Sequence, residues 1–468
     1  MISINMLPDD VLLEMFKIYC EDEGEDIPTT KYAMEAWVTL VHVCRRWRGV
    51  VFGSPHYLGL RLVCLLETPV RALLDVWPVL PLSILGEGPY PTETLDNIIA
   101  ALERSGRVDD IELVGLDNSP LKTVLAAMQK PFPRLTYLRL DSLDSGETVP
   151  VLPDLFLGGS VPRLRSLYFH RISFPGLPKL LLSATQLVRL DLTDIPHSGY
   201  FSPEEIFTAL STSIILESLS LEFLSHQSSP ERENRYMRPQ SRTILPSLAC
   251  FSFKGVSEYF EALVAHIDVP RLNRLNITFF NDIIFDTPQF LKFICLTPAL
   301  KTLNKAEVVF ENLASRVKLS SSISSHGELN LKILCRELDW QVSSLEQVFS
   351  SLGSSIPPIS TLEYLYINEK PFPKPIWQDN VENALWLEFL HPFTALTNLY
   401  LSERFVPHIA LALAGDDGAT ELSTLQNIYL DWFQPSGPVH EAIGKFVATR
   451  QVTIHPLQNV SGTLAAIG

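Results

Sequence analysis

Residues able to do chemistry are few in this sequence, and they do not converge. Gly415-Asp416-Asp417-Gly418 sets two carboxylates between glycines, but the alternating ligand spacing of a calcium loop is missing, so it reads as a turn. Eleven histidines run from His42 to His455 with no pair at i+3 or i+4, which leaves no helical metal site. Six cysteines (Cys20, Cys44, Cys64, Cys250, Cys295, Cys335) lie at least 20 residues apart, so no C-x-x-C metal or redox pair exists. The Glu204-Glu205 pair follows Ser202-Pro203, where helix capping explains it. No phosphate-binding glycine loop, dinucleotide fingerprint, H-E-x-x-H helix or G-x-S-x-G elbow is present. Catalytic residues: none; metal: none; cofactor: none is the expectation. One cluster suits binding. Arg232, Arg235, Arg238 and Arg242 crowd the stretch HQSSPERENRYMRPQSR, residues 226–242. Guanidinium groups at that density fit a clamp for an acidic or phosphorylated target. The simpler reading is a solvated or disordered insertion.

Composition narrows the class. Hydrophobic residues make up 46% of the 468 and charged residues 19%, which excludes a largely disordered chain. Leucine alone supplies 73 residues, the mark of many copies of one leucine-using unit. The formal net charge of −16 disfavours nucleic-acid binding through a global basic field. The apolar start is halted by Pro8, Asp9 and Asp10 with no basic residue before it, unlike a signal peptide. No run of 18 apolar residues occurs, so no membrane span is expected. Sequons at Asn276 and Asn459 are then chance matches. A reducing intracellular location, cytoplasm or nucleus, follows.

The first 65 residues are patterned as helices. In LPDDVLLEMFKIY, Pro8 suits a first helical turn, and Asp9 and Asp10 sit at the positive end of the helix dipole. Val11, Leu12, Met15, Phe16 and Tyr19 form one apolar stripe. A second helical stretch is expected from about Met34 to Phe52, with Trp37, Leu40, Val41, Val43, Cys44, Trp47 and Val51 as its apolar positions.

Leu7, Pro8, Asp10, Leu12 and Phe16, followed by Val43, Cys44, Arg45, Trp47 and Arg48, make a string that resembles the F-box. The resemblance covers roughly residues 4–62. It implies docking on the Skp-type adaptor of a cullin-RING ubiquitin ligase, with Leu7, Pro8, Leu12, Phe16, Val43, Cys44 and Trp47 as the docking and core set. Three short helices cannot bury so many large apolar groups alone, and an exposed patch of them marks a partner surface. The sequence departs from the family between the two motifs, where Glu21, Asp22, Glu23, Glu25 and Asp26 fall in a longer, acidic connection. A solvated loop and an electrostatic rim beside the adaptor are both open readings of it.

Residues 66–100 read as a proline-rich junction, with VLPLSIL as a first strand and a helix from Thr92 to Ser105. Beyond it a pattern of apolar residues at positions 1, 4, 6 and 9 recurs. Full copies begin at Val108, Leu135, Leu164, Leu187, Leu216, Leu248, Leu272 and Leu425, and partial ones at Leu300, Leu362 and Leu396. The first seven starts are 27, 29, 23, 29, 32 and 24 residues apart, room for one strand and one helix per unit. Caps are signalled at Ser202-Pro203, at Thr287-Pro288 and at Ser344 with Gln347. Residues 304–360 fit the pattern least, with LNLKIL as the strand there.

The series resembles a leucine-rich-repeat array. Its ninth position departs from the family, being Leu, Ile, Val or Phe where Asn or Cys is usual. The expected fold is therefore α/β: an N-terminal helical F-box over 1–65, the junction, then an irregular leucine-rich-repeat solenoid over 101–468. Alternation within each strand turns a second set of side chains away from the core, onto what is expected to be the concave, target-binding face. That set contains Tyr137, Arg139, Tyr168, Arg189, Arg274, Tyr364, Tyr366, Tyr400 and Tyr429. Six of the chain's 13 tyrosines lie in it. Tyr is a good strand residue, and Tyr with Arg also makes protein–protein hot spots, so both explanations stand. The expected function is substrate recognition in an SCF-type ubiquitin ligase, without catalysis by this chain. Partners would be the Skp-type adaptor with its cullin-RING core and an unknown protein target, with no nucleic acid and no membrane. The alternative is a scaffold that binds a partner without ubiquitin transfer.

Overall fold

A computed structural model describes residues 7–21, 30–55, 57–65, 70–76, 80–144, 150–225, 242–280, 287–321, 327–353, 359, 361–370, 381–414, 422–431, 438–450 and 452–456. The chain divides into two units, Met1–Tyr200 and Phe201–Gly468.

The first unit opens with three helices: α1 (Asp9–Glu21), α2 (Thr30–Val43) and α3 (Arg45–Gly53). The single helix expected from Met34 to Phe52 is in fact two. Cys44 is extended at φ −159° and ψ 170°, and its Sγ accepts the Trp47 N–H at 3.4 Å, capping α3. A backbone donor orphaned by the break is thereby satisfied. Leu12, Phe16, Trp37, Leu40, Val41 and Val51 are buried between the helices.

Six strands follow: β1 (Leu62–Cys64), β2 (Leu82–Glu87), β3 (Val108–Leu116), β4 (Tyr137–Ser142), β5 (Ser166–His170) and β6 (Arg189–Ile195). They lie side by side in chain order, all parallel. Parallel neighbours need long crossovers, and helices such as Thr92–Leu102 and Asn118–Ala127 supply them. The sheet starts earlier than the repeat pattern does. β1 and β2 pair with each other and β2 with β3, so the strands Leu62–Cys64 and Leu82–Glu87 lie in the same sheet as the repeat strands. The reason is local: the alternation in VLPLSIL buries Leu82 and Ile84 as fully as any repeat strand.

The second unit carries β7 (Ser218–Phe223), β8 (Thr243–Ile244), β9 (Cys250–Gly255), β10 (Ile267–Asp268), β11 (Arg274–Phe279), β12 (Lys305–Glu311), β13 (Ala314–Ser320), β14 (Glu328–Ile333), β15 (Tyr364–Glu369), β16 (Asn398–Leu401), β17 (Asn427–Leu430) and β18 (Thr453–Pro456). Its main sheet runs β7-β9-β11-β14-β13-β12-β15-β16-β17-β18. β8 and β10 form a small parallel pair of their own. β13 runs antiparallel to both neighbours, the one reversal in the described sheet. The expected LNLKIL strand is present as β14, but a β12–β13 hairpin precedes it, so β14 lies beside β11 and β12 lies beside β15.

The repeat positions behave as the alternation requires. Leu138, Leu140, Leu167, Leu190, Leu221, Phe251, Leu275 and Leu430 are at most 1% exposed. The ninth position is buried at Leu116, Ile172, Ile195, Val256 and Phe280, whereas Leu143 is 56% exposed. Apolar residues there join the core instead of bonding loop backbone.

Of the three helix starts expected, one has the full device. Ser202 Oγ accepts the Glu205 N–H at 3.2 Å, and Glu205 Oε2 accepts the Ser202 N–H at 2.8 Å. Ser202→Ala is expected to lower stability by about 1 kcal/mol in urea denaturation, with Ser202→Asp nearly neutral. Thr287 caps Pro288–Leu296 by position only; its side chain makes no capping bond. Ser344 is not a cap at all. It lies inside Leu338–Gly353, because Leu338, Val342, Leu345 and Phe349 extend one buried stripe back by six residues. Gln341 fixes that earlier start, its Nε2 donating to Glu311 O at 2.9 Å and Cys335 O at 2.8 Å. Among the described residues no helix is long and apolar enough to cross a membrane.

Candidate functional site

In the helical module the motif residues meet each other. Trp47 packs on Phe16 with ring centroids 4.8 Å apart. Arg46 Nε donates to Asp9 Oδ1 at 2.9 Å and its Nη2 to Leu7 O, tying α3 to the start of α1. Arg48 Nε donates to Val41 O at 3.0 Å across the Cys44 break. The proposed docking set therefore splits. Leu12 and Phe16 are core. Leu7, Cys44 and Trp47 are half-buried, and Pro8 and Val43 are exposed.

The module also shows water an apolar stripe. Val11, Met15, Ile18 and Tyr19 stand on one side of α1 at 40%, 45%, 62% and 42% exposure, and Val43 closes α2 at 55%. The first four recur at i, i+4, i+7 and i+8, one helical face. Ile18 was not among the stripe residues expected from the sequence; its place seven residues after Val11 is the helical period that would have found it. Of the acidic connection, Asp22, Glu23, Glu25 and Asp26 lie outside the described residues.

The second candidate surface is the sheet face turned away from the buried leucines. In the first unit Tyr137, Arg139 and Tyr168 are half-buried there and Arg189 is exposed. Tyr137 and Tyr168 sit 5.5 Å apart, Arg189 Nη1 donates to Tyr168 Oη at 2.9 Å, and Arg139 pairs with Glu112 at 3.2 Å. Burial holds Asp191 above the usual carboxylate range against the pull of Arg189 and Arg139. Burial also raises the Tyr137 phenol, which stays protonated and able to donate.

In the second unit Tyr364, Tyr366, Tyr400 and Tyr429 are half-buried and Arg274 is exposed. Parallel register sets Tyr366, Tyr400, Tyr429 and His455 in one row across four strands. Their rings stack at centroid spacings of 4.1, 4.2 and 4.8 Å, with interplanar angles of 9°, 5° and 19°. That is close to the separation of paired strands, so the sheet itself sets the stack. Burial, then the hydrogen bonding among the phenols, pushes Tyr400 up, and burial does the same to Tyr366. Beside this row runs an amide row, with Asn427 Nδ2 donating to Asn398 Oδ1 at 3.0 Å and His455 Nε2 3.2 Å from Asn427 Oδ1.

On the four strands next to β15, from β12 to β11, the same face is ionic. Glu311, with a side chain 9% exposed, accepts from Arg316 Nη2 and from Lys332 Nζ at 3.3 Å. Burial alone would raise its pKa; the two cations overcome that and hold it below the usual carboxylate range. Glu328 is likewise lowered, against burial, by Asn330, Lys318 and Arg274. Sequence reasoning passed over Lys305, Arg316, Lys318 and Lys332, since β12, β13 and β14 lack the full repeat pattern that identified the other outward positions.

Of the arginine cluster, Arg232, Arg235 and Arg238 lie outside the described residues. Arg242 is described, its Nη2 donating to Val264 O at 3.3 Å beside the β8–β10 pair. Among the described residues no three His, Cys, Asp or Glu side chains are placed to hold a metal ion.

No model of a known protein family matches the chain, and no curated protein matches it. Among solved structures it is similar to the leucine-rich repeat-containing protein LegL7 from Legionella pneumophila, at 14% identity and a TM-score of 0.26, over 83% of this chain and 98% of that one. What the coordinates establish is a mixed α/β protein in which strand–helix units repeat along a long, mainly parallel sheet.

Proposed function

We propose that this chain is the substrate-recognition subunit of an SCF-type cullin-RING ubiquitin ligase. The helical module would dock a Skp-type adaptor, and the outward sheet faces would hold a target protein. The chain does no bond-making itself. Its contribution is proximity, which converts an encounter between target lysines and a charged conjugating enzyme into an effectively intramolecular one. The role places it inside the cell.

The observation that carries the reading is the stripe of Val11, Met15, Ile18, Tyr19 and Val43, exposed on the module that bears the F-box-like string. A folded helical module leaves such a stripe uncovered when a partner covers it. Half-buried tyrosines, with Arg139, Arg189 and Arg274 among them, supply hot-spot chemistry for the target on the outward face of each unit. The test is reconstitution. Purified chain, adaptor, cullin-RING core and a captured target are combined with the activating and conjugating enzymes. Ubiquitin chains on the target are expected only when this chain is present. Capture of adaptor and target without transfer would make the protein a scaffold and end the ligase reading.

A further inference from the structure

The outward face of the second unit has two halves of different chemistry. On β11, β14, β13 and β12 the outward positions carry Arg274, Lys332, Arg316, Lys318 and Lys305 against Glu328, Glu311 and Glu307, five cations to three carboxylates. Each of two carboxylates is shared: Glu311 between Arg316 and Lys332, Glu328 between Lys318 and Arg274. A local surplus of positive charge stands out in a chain of net charge −16. On β15 to β18 the outward positions are Tyr364, Tyr366, Asn368, Asn398, Tyr400, Asn427, Tyr429, Thr453 and His455, with no carboxylate among them. Lys305 marks the seam, its Nζ 4.5 Å from the centroid of the Tyr366 ring.

The stacking decides what class of partner fits. Tyr400 and Tyr429 have neighbours on both ring faces, and Tyr366 lies between Lys305 and Tyr400. Nucleic-acid platforms offer open ring faces to bases. These stacked, half-buried rings instead leave their edges to a partner, surfaces that pack against side chains.

We propose that this face seats an extended, carboxylate-rich segment of the target protein, with its acidic side chains over Arg274, Lys318 and Lys305 and an uncharged continuation along the tyrosine row. The surface from β11 to β18 is eight strands wide. At about 4.8 Å per strand that is about 34 Å, the reach of about ten extended residues. The proposal rests on the reading that the sheet holds the target, and it adds the chemistry of what is held.

The test uses the purified full chain without adaptor, and a fluorescein-labelled peptide of about twelve residues, Asp/Glu in its first half and Tyr, Pro and Asn in its second. Fluorescence anisotropy is expected to show saturable binding that weakens as salt rises from about 50 to 300 mM, because exposed charge pairs are screened. The same peptide with Lys in place of its acids should not bind. Arg274→Ala, Lys305→Ala and Lys318→Ala together should raise the Kd at least tenfold. If the triple variant does not fold, Lys305→Gln with Lys318→Gln gives the second reading, with at least threefold weakening expected. Equal binding of acidic and basic peptides overturns the proposal, as does unchanged affinity in the folded variant. So does tighter binding by a single-stranded RNA oligomer, or by a phosphoserine peptide when the Asp/Glu form does not bind. Adaptor capture plays no part in this measurement, so the ligase reading and this one can fail separately.

Discussion

Ile18→Asp with Val43→Asp is expected to abolish co-purification of a Skp-type adaptor while the melting temperature stays within a few degrees of the parent. Both side chains are more than half exposed, at 62% and 55%, so the folded chain alone loses little when they become polar. Surface changes of this kind usually fall within about 0.5 kcal/mol. In a complex each would forfeit about 1.5–3 kcal/mol of apolar burial and place a carboxylate in the interface. Two such losses weaken binding by roughly a thousandfold or more. Trp47→Ala should also remove adaptor binding, but less cleanly, because Trp47 packs on Phe16 at 4.8 Å and holds α3 against α1. The comparison separates contact from scaffold. The double Asp variant acts on binding alone, whereas Trp47→Ala acts on binding and on the module's stability. Undiminished adaptor capture by a folded double variant would sink the docking reading.

Trp386→Ala is expected to cost about 3–5 kcal/mol of stability in urea denaturation. Trp386 is fully buried in the second unit. Phe310, Phe389 and Phe405 surround it at centroid distances of 5.9, 5.9 and 5.7 Å. Phe310 belongs to β12 and Trp386 and Phe389 to the helix Asn383–Leu390, so this cluster joins the rearranged hairpin to the helical layer behind it. Among the described residues the Trp386 Nε1 has no hydrogen-bond partner, so Trp386→Phe removes a donor unsatisfied there while keeping an aromatic ring. It should cost less than half as much as Trp386→Ala. A loss below about 1 kcal/mol for the alanine variant would show that the cluster is not what holds β12 in place.

Much of this architecture was legible in the residues. The period of two inside each leucine motif forced a strand with one buried face, and spacings of 23–32 residues left room for a helix between parallel strands. Those two facts turn Tyr137, Tyr168, Arg189, Tyr366, Tyr400 and Tyr429 outward before any coordinates are known. The helix over Asp9–Glu21 followed equally from Pro8, the two aspartates and the apolar stripe. The sequence was silent or misleading where one local pattern serves two structures. The partial copy beginning at Leu300 reads as a weakened repeat, yet Lys305–Glu311 and Ala314–Ser320 pair there as an antiparallel hairpin. Alternation has the same period in parallel and antiparallel strands, so it cannot choose between them. Ser344 and Gln347 spell a capping box, but the buried stripe from Leu338 outweighs it. Cys44 carries no helix-breaking signature, and only the thiol-to-Trp47 contact shows why the chain breaks there.

The amino-acid sequence by itself determined the strand–helix repeat, the face on which each outward residue stands and the apolar stripe of the first helix, whereas the structure divided that stripe into buried Leu12 and Phe16 and exposed Val11, Met15 and Tyr19. Tertiary structure alone decided which strands are neighbours, because pairing is a long-range choice that local periodicity does not encode. Register across β15 to β18 stacks Tyr366, Tyr400, Tyr429 and His455 into a single row. The hairpin's insertion brings Lys305 onto that row and Arg316 and Lys332 onto one carboxylate. Charges from β11, β12, β13 and β14 meet there only because the sheet closes over a strand order that the chain order does not follow.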